Sequence, residues 1–237
     1  MAKHRLLRAL TPGTIRATLG ATIIASAAFG AVAPANADTP EHVGPASNSS
    51  TSQSVNSQAA NSQAASGSQY GRVNVTAQKV LDVARAQVGT SENAYGGGTK
   101  FQQWYAKSQR ALETVKRDGG SPQAYLNAAW CSMFVSWVGE QTGARPQVGW
   151  DAYTVAHARW FAQNHRWGSA PKPGAVVFFS WSGSKSLDDI NHVGFVVKDN
   201  GNGTISTIEG NTGNGRVEQR VRPTSQVVGY GYPNYAG

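Results

Sequence analysis

A second cysteine is missing from this sequence. Cys131 is the only one among 237 residues, so a disulfide within the chain is excluded, and so is a zinc site built from several thiolates. The five histidines contain no pair at i, i+4 spacing, which would place two ring nitrogens on one helical face. The sequence therefore predicts neither a metal site nor a cofactor.

Motifs that identify several other protein classes are also absent. There is no G-x-S-x-G elbow of a serine hydrolase, and the glycine-rich residues 93–98 lack the following lysine of a phosphate-binding loop. Lys and Arg number 21 against 13 Asp and Glu, a formal charge of +8. The basic residues form no run and do not alternate with aromatics, so nucleic acid is not an expected partner. A mild positive field suits an anionic polymer such as a cell wall.

Long hydrophobic runs are confined to the N-terminus. Basic residues, including Lys3, Arg5 and Arg8, precede an apolar, alanine-rich run over residues 17–33, and residues 35–37 form a small-residue cleavage pattern. This arrangement predicts a secretory signal peptide over residues 1–37, cleaved before Asp38. Without it the chain has 17 basic and 13 acidic residues, a charge of +4. We therefore expect a secreted protein with no stable membrane association after signal cleavage.

Large apolar residues are nearly absent from residues 38–70, which consist mainly of Ser, Asn, Gln and Ala. Residues 56–60 are repeated directly as residues 61–65. Such a segment cannot bury enough apolar surface to offset the entropy of ordering it, so it is expected to be a disordered tether. The remaining residues 71–237 have the length of one domain, and we expect this domain to be a monomer.

The strongest helical pattern surrounds the cysteine. Four residues recur at helical spacing on one face: Cys131, Phe134, Val135 and Val138. With Asn127 expected as N-cap and Gly143 as C-terminal stop, Cys131 falls in the first turn. The unpaired N–H groups and the positive dipole end at that turn stabilise a thiolate. Since a lone thiol in an exported protein is either an intermolecular link or a reactive group, this position favours a nucleophile over a packed apolar residue.

The order of the other patterns predicts an α+β fold. Besides the cysteine helix, helices are expected over residues 76–89, 106–117 and 151–164. Strands are expected over residues 174–181, 192–198, 204–209, 216–222 and 227–232. Asn and Gly at residues 200–203 indicate a hairpin between the second and third strands. An antiparallel sheet of about five strands should therefore pack on the N-terminal helices.

A thiol nucleophile needs a base, and the base needs a group that orients it. His192 opens a predicted strand whose end can face the helix N-terminus, whereas His157 and His165 lie on or just after a helix and are expected to be structural or solvent-facing. Glu209 ends the next strand, where its carboxylate can accept the proton of the far imidazole nitrogen. Asn211 lies two residues after Glu209 and would face the same side of the strand if the strand continues. There it could hold His192 or Glu209 in place, or contact the substrate. The alternative for Glu209 and Asn211 is an ordinary hairpin end.

Five segments and their spacing carry a resemblance to a known family. They are WCSMFVSW at residues 130–137, PGAVVFF at 173–179, HVGFVV at 192–197, IEGN at 208–211 and VGYGYP at 228–233. Together they make residues 75–235 resemble the CHAP family, the cysteine- and histidine-dependent amidohydrolases/peptidases of the papain-like clan. Ala175 departs from the acidic residue that the family often has after Pro-Gly, and the segment between Tyr105 and Trp130 is longer than usual.

The resemblance implies a papain-like fold, with the catalytic residues at Cys131, His192 and Glu209 and a further polar position at Asn211. It implies hydrolysis of peptide or amide bonds in peptidoglycan, the expected partner, by a cell-wall-associated enzyme. An N-acetylmuramoyl-L-alanine amidase, a cross-bridge endopeptidase and an acyl transferase all fit a thiol mechanism. A non-catalytic wall-binding or interaction module is the alternative from another class. Trp130 and Trp181 are expected to contact the substrate.

Overall fold

The computed structural model describes residues 71–237, so the expected signal peptide and tether lie outside the described residues. The helices are α1 (Ala77–Arg85), α2 (Lys100–Ala106), α3 (Gln109–Asp118), α4 (Cys131–Thr142), α5 (Arg145–Val148) and α6 (Thr154–Gln163). The strands are β1 (Trp167–Gly168), β2 (Val176–Phe179), β3 (His192–Asp199), β4 (Thr204–Thr212), β5 (Arg216–Pro223) and β6 (Val227–Gly231). Helices followed by one antiparallel sheet confirm the α+β, papain-like prediction.

The sheet has the strand order β1-β6-β2-β3-β4-β5. Strands β3 and β4 form the predicted hairpin. The two-residue strand β1 was not expected, since it is too short to show an alternating pattern; Trp167 in it pairs with Gly231 of β6. At the opposite edge, residues 89–92 run beside β5. The Gly89 amide donates to the Val217 carbonyl at 2.9 Å, and the Val217 amide donates to the Thr90 carbonyl at 2.8 Å.

Both faces of the sheet are covered. Val176, Phe178 and Phe195 belong to the main core with helix α4, whereas Val177, Phe179 and Val196 form a second cluster on the other face. This explains why residues 176–179 read as a continuous apolar run and not as an alternating one. The strand that carries His192 is therefore held from both sides.

Local signals set most helix ends. The Thr76 side chain accepts a hydrogen bond from the Lys79 amide at 3.2 Å, so Thr76 is the N-cap of α1. The expected helix over residues 106–117 corresponds to α3, which begins later because Ser108 caps it by accepting from the Ala111 amide at 3.1 Å. Helix α2, which ends at Ala106, was not expected as a separate helix. Within residues 71–237, no helix is both long and apolar enough to cross a bilayer.

Helix α4 ends as predicted but begins later. Gly143 terminates it in the left-handed conformation, at φ 72°. Asn127 is not its N-cap: Pro122–Asn127 form a separate 3-10 helix, and Ala128 is extended. Trp130 takes the cap position, so Cys131 is the first residue of the helix.

Candidate active site

Cys131 lies where the backbone of α4 leaves hydrogen-bond donors free. The N-cap residue, Trp130, makes no side-chain hydrogen bond to the first turn. The first N–H groups of a helix have no partner within the helix, and here no capping side chain takes them. The thiol is thus placed at the positive end of the helix dipole, next to donors that can hold an anion.

The imidazole of His192 lies between the thiol and a carboxylate. Its Nε2 is 2.9 Å from Oε2 of Glu209, and the ring is also hydrogen-bonded to the side chain of Cys131. Because Nε2 faces the carboxylate, Nδ1 is the nitrogen left for the thiol. The structure thus brings together three side chains that lie on α4, β3 and β4.

Opposing effects set the protonation state of His192. Burial lowers its pKa, but the hydrogen bonds to Cys131 and Glu209 and the charges of both outweigh it and raise the pKa to about 9. The ring is therefore an imidazolium at neutral pH, ready to give up a proton.

The carboxylate of Glu209 is fully buried and accepts hydrogen bonds from three side chains. Besides His192, Thr207 Oγ1 donates to Oε1 at 2.6 Å, and Arg222 donates from Nε to Oε1 at 2.9 Å and from Nη2 to Oε2 at 2.6 Å. Burial raises the pKa of Glu209, but the bonds from His192 and Arg222 outweigh it and lower the pKa to about 2. Glu209 is thus a fixed negative charge behind the imidazole.

Sequence reasoning missed Thr207 and Arg222. Strand alternation places Thr207 on the same face as Glu209, and this signal was available in the sequence. Arg222 could not be located, since its backbone pairs with Ile205 and not with Glu209, and its long side chain reaches the carboxylate from a different position along the next strand. The Arg222 guanidinium also donates to Thr212 Oγ1 at 2.9 Å, so it connects Glu209 and Thr212, between which the register of β4 and β5 shifts.

Replacing Arg222 by glutamine is expected to lower kcat/KM on the order of tenfold at neutral pH, because a charge-assisted double hydrogen bond to Glu209 is lost. The loss should grow as the pH falls. Without the guanidinium the pKa of Glu209 rises, so its carboxylate is protonated at milder acidity and no longer orients His192. A pH–rate profile measures this shift.

Arg220→Gln is the matched control, since Arg220 lies on the same strand and pairs with the partly exposed Glu218. An acid limb that moves equally in both variants would contradict the role of Arg222.

Trp181 lies next to the imidazole of His192 and is 43% exposed. Its ring centroid is 5.1 Å from that of His192 and 5.6 Å from that of Phe179, on which it stacks. The guanidinium of Arg222 lies 4.9 Å from the ring. An aromatic surface held in this way can receive an apolar or sugar face of a ligand next to the thiol.

Trp130 does not lie in the groove, so the structure does not support its expected contact with substrate. The indole is completely buried and stacks on Phe101 with centroids 5.3 Å apart. Its Nε1 donates to Oε2 of Glu92 at 2.9 Å. Trp130 therefore fixes the start of α4 from inside the core.

Asn211 occupies the bulge of β4 and has a left-handed backbone, with φ 55°. The expectation that it shares the parity of Glu209 fails, because the extra residue of a bulge interrupts strand alternation. Within residues 71–237 its half-buried amide has no hydrogen-bond partner in the protein. The structure therefore leaves this amide available and does not show it holding His192 or Glu209.

Two glycines allow the strands and the helix that form the site to pack closely together. A methyl group added to Gly194 would lie 2.7 Å from Cγ of Glu209, so only glycine on β3 leaves room for the carboxylate. A methyl group added to Gly210 would lie 2.6 Å from Cβ of Phe134, so glycine there lets β4 approach α4. Both contacts bring the carboxylate strand close to the cysteine helix.

The other histidines do not join the site. His157 is completely buried; its Nδ1 is 2.8 Å from Ser132 Oγ and its Nε2 is 2.7 Å from the Val148 carbonyl. Burial lowers the pKa of His157, although the Val148 contact and the charge of Asp151 oppose this. His165 is exposed. Among residues 71–237, no group of three His, Cys, Asp or Glu side chains could hold a metal ion.

Comparison with known proteins agrees with this geometry. Searches of the curated proteins and of the solved structures gave no match. A scan against family models matches residues 120–211 to the family described as "CHAP domain". The matched residues begin before α4 and include Cys131, His192 and Glu209. Residues 120–211 are therefore similar to a CHAP domain, and this similarity supports a hydrolase of the general amidase or peptidase type.

Proposed function

We propose that this protein is a secreted cell-wall hydrolase that cleaves peptide or amide bonds of peptidoglycan through a Cys131 thiolate. One observation carries the proposal: the single cysteine of the chain begins an uncapped helix and is hydrogen-bonded to an imidazole that a buried carboxylate holds. A thiol used only for packing would not need a charged imidazole and a buried carboxylate, each of which is costly to bury.

The mechanism has two chemical steps. The thiolate of Cys131 attacks the carbonyl carbon of the scissile bond, and the oxyanion that forms is stabilised by the backbone N–H groups at the start of α4. His192 then gives its proton to the nitrogen that leaves, and an amine and a thioester are formed. In the second step His192 takes a proton from water, the hydroxide attacks the thioester, and the thiol and a free carboxylate are released.

Glu209 and Arg222 keep the imidazole ready for both steps. The negative charge of Glu209 stabilises the imidazolium before the amine leaves and again when water is deprotonated. Arg222 keeps Glu209 ionised through two hydrogen bonds. The charges therefore alternate from guanidinium to carboxylate to imidazolium to thiolate, each adjacent to one of opposite sign.

Two surfaces beside the thiol suit a peptide that carries a sugar. The exposed ring of Trp181 covers one side of the site. A cavity of about 590 Å³ adjoins the start of α4 and is lined in part by Ala128, Ala129, Met133 and Tyr153. Small apolar residues at its floor fit short side chains such as the methyl of alanine. The positive charge of the chain and the N-terminal leader support an exported, wall-associated protein.

The test is to incubate the purified protein with peptidoglycan of several wall types under reducing conditions and to identify the fragments by mass spectrometry. A freed lactyl carboxylate would indicate an amidase, and a freed bridge amine an endopeptidase. A new amide would indicate an acyl transferase that uses the same thioester. Binding without any cleavage across all wall types would refute the hydrolase and favour the non-catalytic module.

A further inference from the structure

A basic cavity of about 710 Å³ lies apart from the catalytic residues. Its lining includes Arg72, Arg110, Arg145, Trp150, Asp151 and Trp160, whereas Cys131, His192 and Glu209 do not border it. Its volume is within the range of sites that bind small molecules, about 300–1,000 Å³. The proposed reaction makes no use of it.

Three guanidinium groups line this cavity, and each keeps donors that no protein acceptor uses within residues 71–237. Arg72 donates only from Nε, to the Tyr235 carbonyl at 2.9 Å. Arg145 donates only from Nη1, to Glu140 at 2.9 Å. The Nε of Arg110 is buried and has no partner, which is costly unless a further group binds there.

The cavity has one carboxylate of its own, and that carboxylate is already neutralised. Asp151 accepts from Arg110 Nη2 at 2.8 Å and from Arg117 Nη1 at 2.8 Å, and its side chain is only 4% exposed. The acidic partners Glu113 and Glu140 are each paired with one arginine at the rim. Of the arginines that line the cavity, Arg72 is the one that has no acidic partner among residues 71–237, so its positive charge is available to a ligand.

The guanidinium groups are also held in place. Trp150 lies between two of them, with its ring 4.3 Å from the guanidinium of Arg145 and 5.9 Å from that of Arg110. The loop that carries Trp150 and Asp151 is fixed to α4, because the hydroxyls of Ser132 and Ser136 donate to the Asp151 carbonyl at 2.7 and 3.1 Å. Donors fixed before binding lose little entropy when a ligand arrives.

We propose that this cavity is a second binding site, which takes a sugar bearing a carboxylate or phosphate group. Planar guanidinium groups bind either anion through paired hydrogen bonds, and the cavity of about 710 Å³ has room for the sugar that carries the anion. Binding of such a group does not depend on catalysis. Its use to hold an anionic wall polymer while Cys131 acts elsewhere on the polymer rests on the proposed function.

The test is calorimetric titration of the full chain carrying Cys131→Ala, so that no turnover interferes, with glucose 6-phosphate, glucuronate and glucose. We expect at least one anionic sugar to bind and glucose not to bind. Glucose 6-phosphate alone would indicate a phosphate ligand, and glucuronate alone a carboxylate ligand. Arg145→Gln and Arg72→Gln should each weaken the affinity about tenfold or more, because each removes charge-assisted hydrogen bonds.

Arg159→Gln is the matched control, since Arg159 is exposed, pairs with Asp188 and does not line the cavity. An equal loss of affinity in this control would show that only the overall charge matters and would overturn the proposal. Failure of both anionic sugars to bind would overturn it as well. Because no step of the assay involves hydrolysis, either result is distinct from a failure of the proposed hydrolase.

Discussion

Replacing Cys131 by alanine is expected to abolish cleavage, with a loss of kcat on the order of 10⁴-fold or more, since removal of the nucleophile leaves only binding and oxyanion stabilisation. The release of amines from peptidoglycan measures the rate. The variant should keep its fold, because the thiol is one small side chain at the end of α4 and the capping glycine at the other end is untouched. Thermal unfolding checks this.

The lone thiol makes a second measurement specific. A thiol-selective alkylating reagent has only Cys131 to label, so its rate of modification reports on the thiol of this site. Loss of activity should follow labelling one to one. Residual wall cleavage by the alanine variant at a comparable rate would contradict the thiol mechanism, whatever the state of the fold.

Glu209→Gln is expected to lower kcat/KM about a hundredfold or more, because the imidazole loses the charge that keeps it protonated and oriented. The alkaline limb of the pH–rate profile should lie near 9 in the wild type, the value to which the pKa of His192 is raised. In the variant the pKa of His192 falls, so this limb should move to lower pH. Glu218→Gln, on the neighbouring strand, should leave the limb unchanged.

The ion pair between His192 and Glu209 makes the free energy of unfolding depend on pH in a defined direction. The pKa of His192 is raised from 6.5 to about 9, so its stabilising contribution is complete below 6.5 and is lost as the pH rises through 9. The pKa of Glu209 is lowered from 4.5 to about 2, so its contribution is present above 4.5 and is lost as the pH falls through 2.

The free energy of unfolding should therefore differ most between wild type and Glu209→Gln from pH 4.5 to 6.5. Denaturant unfolding across this range measures the difference. A difference that is flat from pH 3 to 10 would contradict the ion pair.

Local sequence signals were sufficient to predict that Cys131, His192 and Glu209 lie together. The helical spacing around Cys131, the glycine that stops α4 and the hairpin between β3 and β4 act over a few residues, and each is legible in the sequence. These signals predicted that the thiol lies at the start of a helix and that the imidazole and the carboxylate lie at the ends of two strands facing it. Resemblance to the CHAP family covered the same residues and added the chemistry.

The features of the site that could not be predicted from the sequence depend on contacts between segments far apart in the chain. Trp130 and Trp181 look equally suited to bind substrate, but the ring of Trp130 is covered by Phe101 from α2, which precedes it by many residues. Arg222 reaches Glu209 from the next strand although its own backbone pairs with Ile205. Asn211 leaves the expected parity because a bulge interrupts β4 after Glu209. Neither the burial of one particular side chain nor the insertion of a residue into a strand produces a recognisable pattern in the neighbouring sequence.

The pairing of residues 89–92 with β5 has a consequence for the behaviour of the protein in concentrated solution. A bare sheet edge offers unpaired backbone groups to other chains and is a common route to aggregation. Here the backbone at the start of β5 is hydrogen-bonded to the backbone of Gly89, Thr90 and Glu92 of the same chain. The rest of the strand carries the charged residues Glu218, Arg220 and Arg222. The edge of the sheet formed by β5 thus resists the addition of a strand from another chain.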